Sequence, residues 1–204
     1  MITILDYGVG NLASILNMFR KIGATAQISS DPEKIKQSSK LLLPGVGSFD
    51  HGMQMLQESG LKTILDDCVL NEKKPILGIC LGMQLMTKGS EEGILPGLGW
   101  VDAEVKRFNF PDSRIKIPHM GWNEVSLIRP DFLTSNLGEQ SRFYFVHSYH
   151  VVTNVPNDII LQTSYGITFT SGFRNSNIYG VQFHPEKSHK FGMNLLKNFA
   201  AIQS

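Results

Sequence analysis

Pro75-Ile76-Leu77-Gly78-Ile79-Cys80-Leu81-Gly82-Met83-Gln84-Leu85 places a cysteine where a buried strand gives way to a helix. Pro75–Ile79 is a short apolar run closed by a turn signal, the pattern of a strand covered on both faces. Gly78 and Gly82 bracket the cysteine, giving the thiol counterpart of the G-x-S-x-G nucleophile elbow. A tight, strained turn crowds the residues flanking a nucleophile, and a missing Cβ lets the chain pass. Such a turn lifts the thiol to the carboxyl end of a sheet, where ligands bind in open α/β folds. The N–H groups at the start of the following helix, Leu81 first, favour a thiolate. They can pull the thiol below its free value of about 8.5.

Working outward, Ile2–Leu5, Ala24–Ile28 and Lys40–Leu43 are further strand candidates, each followed by a turn signal. Leu12, Ile15, Leu16, Phe19 and Ile22 recur at helical spacing and Gly23 ends the pattern. Leu61, Ile64, Leu65, Cys68 and Val69 make another apolar helical face, which assigns Cys68 to the core. This βαβα rhythm predicts an α/β fold with a mainly parallel, twisted sheet flanked by helices. The second half is different: Gly99–Val105, Phe143–His147, Ile159–Thr163, Ile167–Phe173 and Ile178–Phe183 are short β-rich runs separated by Asn, Asp, Gly or Pro. They predict antiparallel additions to the sheet or a small second sheet. A last helix carries Phe191, Leu195, Phe199 and Ile202 along one face. No repeat, low-complexity tract or linker divides the chain, so residues 1–204 read as one domain.

The composition agrees with a globular α/β protein of this size. Of 204 residues, 42% are hydrophobic and 18% charged, with 19 Lys+Arg against 18 Asp+Glu. A net charge of +1 gives no electrostatic reason to expect nucleic acid or an anionic membrane as partner. No basic leader precedes an apolar run, and the apolar stretches fall short of the roughly 20 residues a bilayer requires. Two cysteines in unlike contexts argue against a disulfide framework and for a reducing, cytoplasmic location.

A nucleophile needs a base. Tyr179-Gly180-Val181-Gln182-Phe183-His184-Pro185-Glu186 runs as a strand into a histidine and a glutamate that flank a proline. Pro185 fixes its own φ and holds His184 out of the α region, so the segment is expected to be extended, with both side chains pointing one way. Glu186 would then grip one imidazole nitrogen and leave the other to face a thiol, the general logic of a triad. His51, His119, His147, His150 and His189 read more simply as structural or surface residues. No Cys-x-x-Cys or His-Glu-x-x-His spacing supports a metal, and neither metal nor cofactor is expected.

Gly78–Gln84 together with Gln182–Glu186 closely resembles the class I, triad-type glutamine amidotransferases, and the resemblance runs over essentially the whole chain. It implies a glutaminase with Cys80 as nucleophile, His184 as acid and base, and Glu186 as its orienter. Pro44-Gly45-Val46-Gly47 is similar to the family's oxyanion strand, which implies oxyanion donors at Val46 or Gly47 beside the Leu81 amide. The resemblance further implies glutamine contacts from Gln84, Ser148, Tyr149, His150 and Glu92, although Glu91 adjoins the last. Asp6–Asn11 and Pro118–Asn123 are similar to segments of family members that pass ammonia to a HisF-type (β/α)8-barrel cyclase, forming imidazole glycerol phosphate in histidine biosynthesis. That similarity implies a heterodimer with Tyr7, Asn11, Trp122 and Asn123 at its interface, nearly idle until the partner binds its ligand. Three alternatives stand beside it. A paralogue could supply ammonia for sugar amidation in surface polysaccharides, and a non-catalytic module could share the fold. Gly8-Val9-Gly10-Asn11-Leu12-Ala13 also fits a dinucleotide-binding turn, with Asp31 near the position expected to hold a ribose.

Overall fold

A computed structural model describes residues 1–203 apart from Pro111, Ser113 and Glu139. The first half alternates β1 (Ile2–Leu5), α1 (Leu12–Lys21), β2 (Ala26–Ser29), α2 (Pro32–Gln37), β3 (Lys40–Leu43), α3 (Phe49–Glu58), α4 (Lys62–Asp66), β4 (Ile76–Ile79) and α5 (Leu81–Leu85). β1 to β4 pair in parallel, in spatial order β2-β1-β3-β4. Every residue of β1, β3 and β4 is buried, as their mostly apolar sequences suit strands covered on both faces; Thr3 and Lys40 are the polar exceptions. Alternation along these strands divides the core in two: Leu5, Leu41 and Leu43 pack on one side of the sheet, Ile2, Ile4 and Leu42 on the other.

The second half supplies β5 (Ala103–Arg107), β6 (His119–Glu124), β7 (Ser126–Leu127), β8 (Arg142–His147), β9 (Tyr149–Thr153), β10 (Ile159–Tyr165), β11 (Ile167–Asn175) and β12 (Ile178–Val181), and the chain ends in α6 (His189–Ala201). β12 returns to lie parallel against β4, while β11, β10 and β7 extend the sheet antiparallel. β5 and β9 branch from β11, and β6 pairs with β8 as a separate two-stranded ribbon. The mixed α/β sheet expected from the sequence is present, with antiparallel strands in the second half.

Some elements differ from the expectation. The helix expected across Leu61–Val69 is α4 followed by one π-helical turn, Asp67–Asn71, with Cys68 fully buried. The helix after Cys80 has only five residues. Among the described residues, no helix is long and apolar enough to cross a membrane.

Candidate active site

The parallel pairing of β4 and β12 decides where the site lies. Ile79 is opposite Val181, and the Cys80 amide donates to the Val181 carbonyl at 2.8 Å. Two chain segments far apart in sequence therefore leave the sheet side by side. Cys80 follows one and His184 the other.

Cys80 is held at φ 54°, ψ −111°, a conformation a residue with a Cβ seldom adopts and one that accumulates strain at functional turns. The flanking glycines permit it through close approach. A Cβ on Gly78 would come within 2.7 Å of the Met83 nitrogen, and one on Gly82 would collide with the Leu43 carbonyl. The five-residue α5 is too short for a full macrodipole, so its aid to a thiolate is local, through the first N–H groups around Leu81.

His184 and Glu186 come together by a route the sequence did not indicate. Pro185 opens a single 3₁₀ turn, Pro185–Lys187, where an extended segment was expected. Proline suits the first position of a helical turn, because its fixed φ fits and it has no N–H to leave unpaired. The turn brings Glu186 Oε1 to 2.8 Å from His184 Nδ1, with both side chains buried. Ser188, also buried, fixes the turn from behind, donating to the His184 carbonyl at 2.6 Å and accepting from the Tyr144 amide at 3.0 Å.

Among the described residues His184 Nε2 is buried without a hydrogen-bond partner, and Cys80 is near enough to act on the ring. Burial by itself pulls this imidazole down. Cys80 and Glu186 outweigh burial and raise it to about 10. A base flanked by a sulfur and a carboxylate is thereby biased toward the imidazolium.

A cavity of about 350 Å³ opens over the two groups, lined by Val46, Gly47, Cys80, Leu81, Gln84, Glu92, Pro118, Val146, His147, Ser148, Tyr149 and His184. The expected oxyanion residues are all on its wall. Glu92 is there too, and its carboxylate accepts from the Phe49 amide at 2.9 Å, capping α3 where Ser48 gives no side-chain cap. Glu91 instead accepts from the Arg107 amide at 2.8 Å and pairs with Lys106, and of the two adjoining glutamates only Glu92 lines the cavity. Gln84 spends its amide N–H groups on the Tyr149 carbonyl at 3.1 Å and the Gln182 side chain at 3.0 Å.

Three expected contacts lie elsewhere. His150 is not on the cavity wall; alternation along β9 turns it to stack on Phe108, ring centres 4.7 Å apart. Tyr7 is buried at 2% exposure and donates to the Pro44 carbonyl at 2.5 Å, so it anchors the Val46–Gly47 segment and offers no surface to a partner. Asn123 points inward from β6 toward His119, whereas Trp122 points outward and is exposed. Asn11 is exposed and caps α1 by accepting from the Ser14 amide.

The structure also brings in Gln182, which the sequence reading quoted without assigning a role. It is fully buried, accepts from Gln84 and directs its own amide to Cys80 Sγ at 3.8 Å. A glutamine between the buried Val181 and Phe183, directly after a fully buried strand, was the available signal. The dinucleotide alternative loses its geometry. The Gly8 and Gly10 turn is packed against Met55 and Pro44, and Asp31 caps α2 by accepting from the Glu33 amide at 2.9 Å. Among the described residues no group of three or more His, Cys, Asp or Glu could hold a metal ion.

Known proteins share this arrangement of chain. The family model of class I glutamine amidotransferases matches residues 3–202. Imidazole glycerol phosphate synthase subunit HisH 2 of Methanococcus maripaludis is 56% identical, covering 98% of each chain. The protein of the same name from Pseudomonas aeruginosa is 53% identical over 99% of this chain and all of its own. Among solved structures, PurLQS from Thermotoga maritima superimposes with a TM-score of 0.69 at 17% identity, over 97% of this chain and 96% of that one, a likeness of fold. On the family match and on identity above one half over nearly the full length, the chain belongs to the class I glutamine amidotransferases, in the HisH family.

Proposed function

We propose that this chain is the glutaminase subunit of an imidazole glycerol phosphate synthase, releasing ammonia from glutamine for a HisF-type (β/α)8-barrel cyclase in histidine biosynthesis. Cys80 attacks the side-chain amide carbon of glutamine, and the developing oxyanion takes N–H groups of Leu81 and of Val46 or Gly47. The carbon–nitrogen bond then breaks. His184 gives its Nε2 proton to the departing nitrogen, which leaves as ammonia, and a γ-glutamyl thioester remains on Cys80. Water, deprotonated by the now neutral His184, attacks the thioester; glutamate departs and the thiol is restored. Glu186 holds the imidazole in one tautomer throughout. Gln84, Glu92, Ser148 and Tyr149 form the wall against which the glutamine lies.

The single observation that carries this reading is an imidazole with one nitrogen held by a carboxylate and the other left free beside a strained cysteine, in a cavity sized for an amino acid. Ammonia set free in water would protonate and diffuse away, so the chemistry calls for an adjoining synthase and a heterodimer. Exposed Met120 and Trp122 on β6 and exposed Val46 on the cavity wall supply an apolar surface for it.

The test is glutamate release by the purified chain, alone and with a HisF-type barrel carrying its nucleotide substrate. Large stimulation by the full mixture, abolished in Cys80→Ala, is the expected result; stimulation that survives the substitution overturns the mechanism. Two relatives carry the numbered name HisH 2, which keeps a second reading in view: a paralogue feeding a sugar-amidating synthase. Stimulation by such a synthase and none by the barrel would select it.

A further inference from the structure

Beside the cavity, outside the proposed triad, lie two more buried histidines. His119 is sandwiched between Phe145 and Tyr165, ring centres at 4.7 and 4.1 Å, and its Nδ1 is 3.0 Å from His147 Nε2. His147 lines the cavity, and its Nδ1 is 2.7 Å from the Tyr149 carbonyl, the same carbonyl that accepts from Gln84. At the far end Asn123 Nδ2 is 3.2 Å from His119 Nε2.

The protons in this row can be assigned without ambiguity. Asn123 is held in one orientation by the backbone: its Oδ1 accepts from the Glu124 amide at 2.8 Å, and its Nδ2 donates to the Ser164 carbonyl at 3.0 Å. His119 Nε2 faces an N–H donor and must accept, so its proton is on Nδ1. His147 Nε2 then accepts in turn, and its own Nδ1–H donates to Tyr149. A carbonyl can only accept, so the two ends agree. An imidazolium at either histidine would set two donors against each other.

We propose that Asn123, His119 and His147 are positioning residues that form a one-directional, neutral hydrogen-bond relay, fixing the Tyr149 carbonyl and through it Gln84 on the substrate wall. The inference rests on the reading of that cavity as the glutamine site. Burial supports neutrality, holding His119 down at about 4 and His147 at about 3. The other groups that act on His147 are His150 and His184, both imidazoles, and neither offers a carboxylate that would charge it. A neutral His147 also spares His184 a like-charged neighbour.

Ring-nitrogen ¹⁵N spectra of the whole chain test the relay without any turnover. Both rings should show a protonated Nδ1 and a bare Nε2, unchanged from about pH 5.5 to 8. A ring that titrates in that range, or carries its proton on Nε2, overturns the proposal. Asn123→Asp keeps the shape and puts an acceptor where the donor was. It should draw a proton to His119 Nε2, shift the Gln84 side-chain amide resonances, and raise the glutamine KM about fivefold, the size of one hydrogen bond, with kcat within about twofold. Asn123→Leu loses the donor without inverting the row and should raise KM less. A merely structural role predicts the reverse order, and Leu as damaging as Asp would sink the relay. Should either variant fail to fold, the wild-type ring nitrogens decide. A wild-type chain that turns over no glutamine removes the proposed function, while the tautomers and the Gln84 shift still judge the relay on their own.

Discussion

Two pairs of buried groups stand beside the same cavity and behave in opposite ways. His184 lies with Glu186 at 2.8 Å and Cys80 beyond, and it is raised to about 10. His147 lies with His119 at 3.0 Å and is lowered to about 3. Burial lowers both, so burial does not distinguish them. What differs is the partner: a carboxylate and a sulfur reward a positive ring, whereas neighbouring imidazoles and an oriented amide donor reward a neutral one and outweigh the Tyr149 carbonyl, which by itself raises His147. Within one cavity the fold thus assigns one histidine to carry charge and another to refuse it.

The largest effect that tests this contrast comes from Glu186→Gln. The amide of a glutamine can donate to His184 Nδ1, which would shift the ring proton to Nε2 and set the wrong tautomer toward Cys80. Loss of the equivalent carboxylate from a triad costs up to about 10⁴ in kcat, and a fall of a hundredfold or more is expected here. Removing a group that raises His184 must lower it, so the alkaline limb of the kcat/KM profile, expected as pH rises through about 10, should move toward neutrality. A rate within tenfold of wild type, or an alkaline limb that stays in place, would erase the distinction between the two histidine pairs.

How much of this was visible in the sequence depends on what each strand hides. Ile2–Leu5 and Lys40–Leu43 were legible to the residue because strands covered on both faces are short, mostly apolar runs. Glycine spacing and a proline marked strained or fixed backbone at Cys80 and beside His184, and both residues line the cavity. β6 was not recognised as a strand: its inward positions are His119 and Asn123 and its outward ones Met120 and Trp122, so the usual alternation is inverted. Its polar groups can be inside only because they satisfy one another, which pattern alone does not reveal. Tyr7 was misread as an interface residue for a related reason, since a tyrosine whose hydroxyl finds a buried carbonyl is core. The long-range pairings of Gln182 with Cys80 and Gln84 depend on strand order, which no local spacing encodes.

A smaller effect is expected in stability against pH, where the two pairs pull in opposite directions. His184 has a folded value near 10 against about 6.5 unfolded, so its stabilisation is complete below about 6.5 and is lost as pH rises toward 10. His119 and His147 have folded values of about 4 and 3, so the unfolded chain gains protons that the folded one refuses as pH falls below about 6.5. Each uncompensated proton contributes a slope of up to about 1.4 kcal/mol per pH unit. The thermal midpoint should therefore peak near pH 6 to 7 and fall on both sides, by roughly the linkage slopes just given. Glu186→Gln should flatten the alkaline side and leave the acid side alone; a profile in which that substitution changes both sides equally would mean the two pairs are not independent.

The smallest effect concerns the fourth buried histidine of this region. His150 was expected to touch glutamine, yet it faces away from the cavity, stacked on Phe108 at an interplanar angle of 16° and edge-on to Phe169. Burial lowers its imidazole, with Glu91 and a backbone hydrogen bond to Lys106 opposing, and its Nδ1 is buried without a hydrogen-bond partner among the described residues. Unlike His147 it therefore has no relay to maintain, and unlike His184 no carboxylate in contact. A phenylalanine at this position would keep the stack and remove the unsatisfied Nδ1 together with the backbone contact to Lys106, two changes of opposite sign and of about 1 kcal/mol each. His150→Phe should leave the glutamine KM within about twofold and the stability within about 1 kcal/mol of wild type. A tenfold rise in KM with the fold intact would return His150 to the substrate wall, and the division of labour among the buried imidazoles would have to include a third role. The contrast is sharpest if His150→Phe and Asn123→Asp are measured side by side, because both alter the surroundings of β9 and only the second reverses a proton.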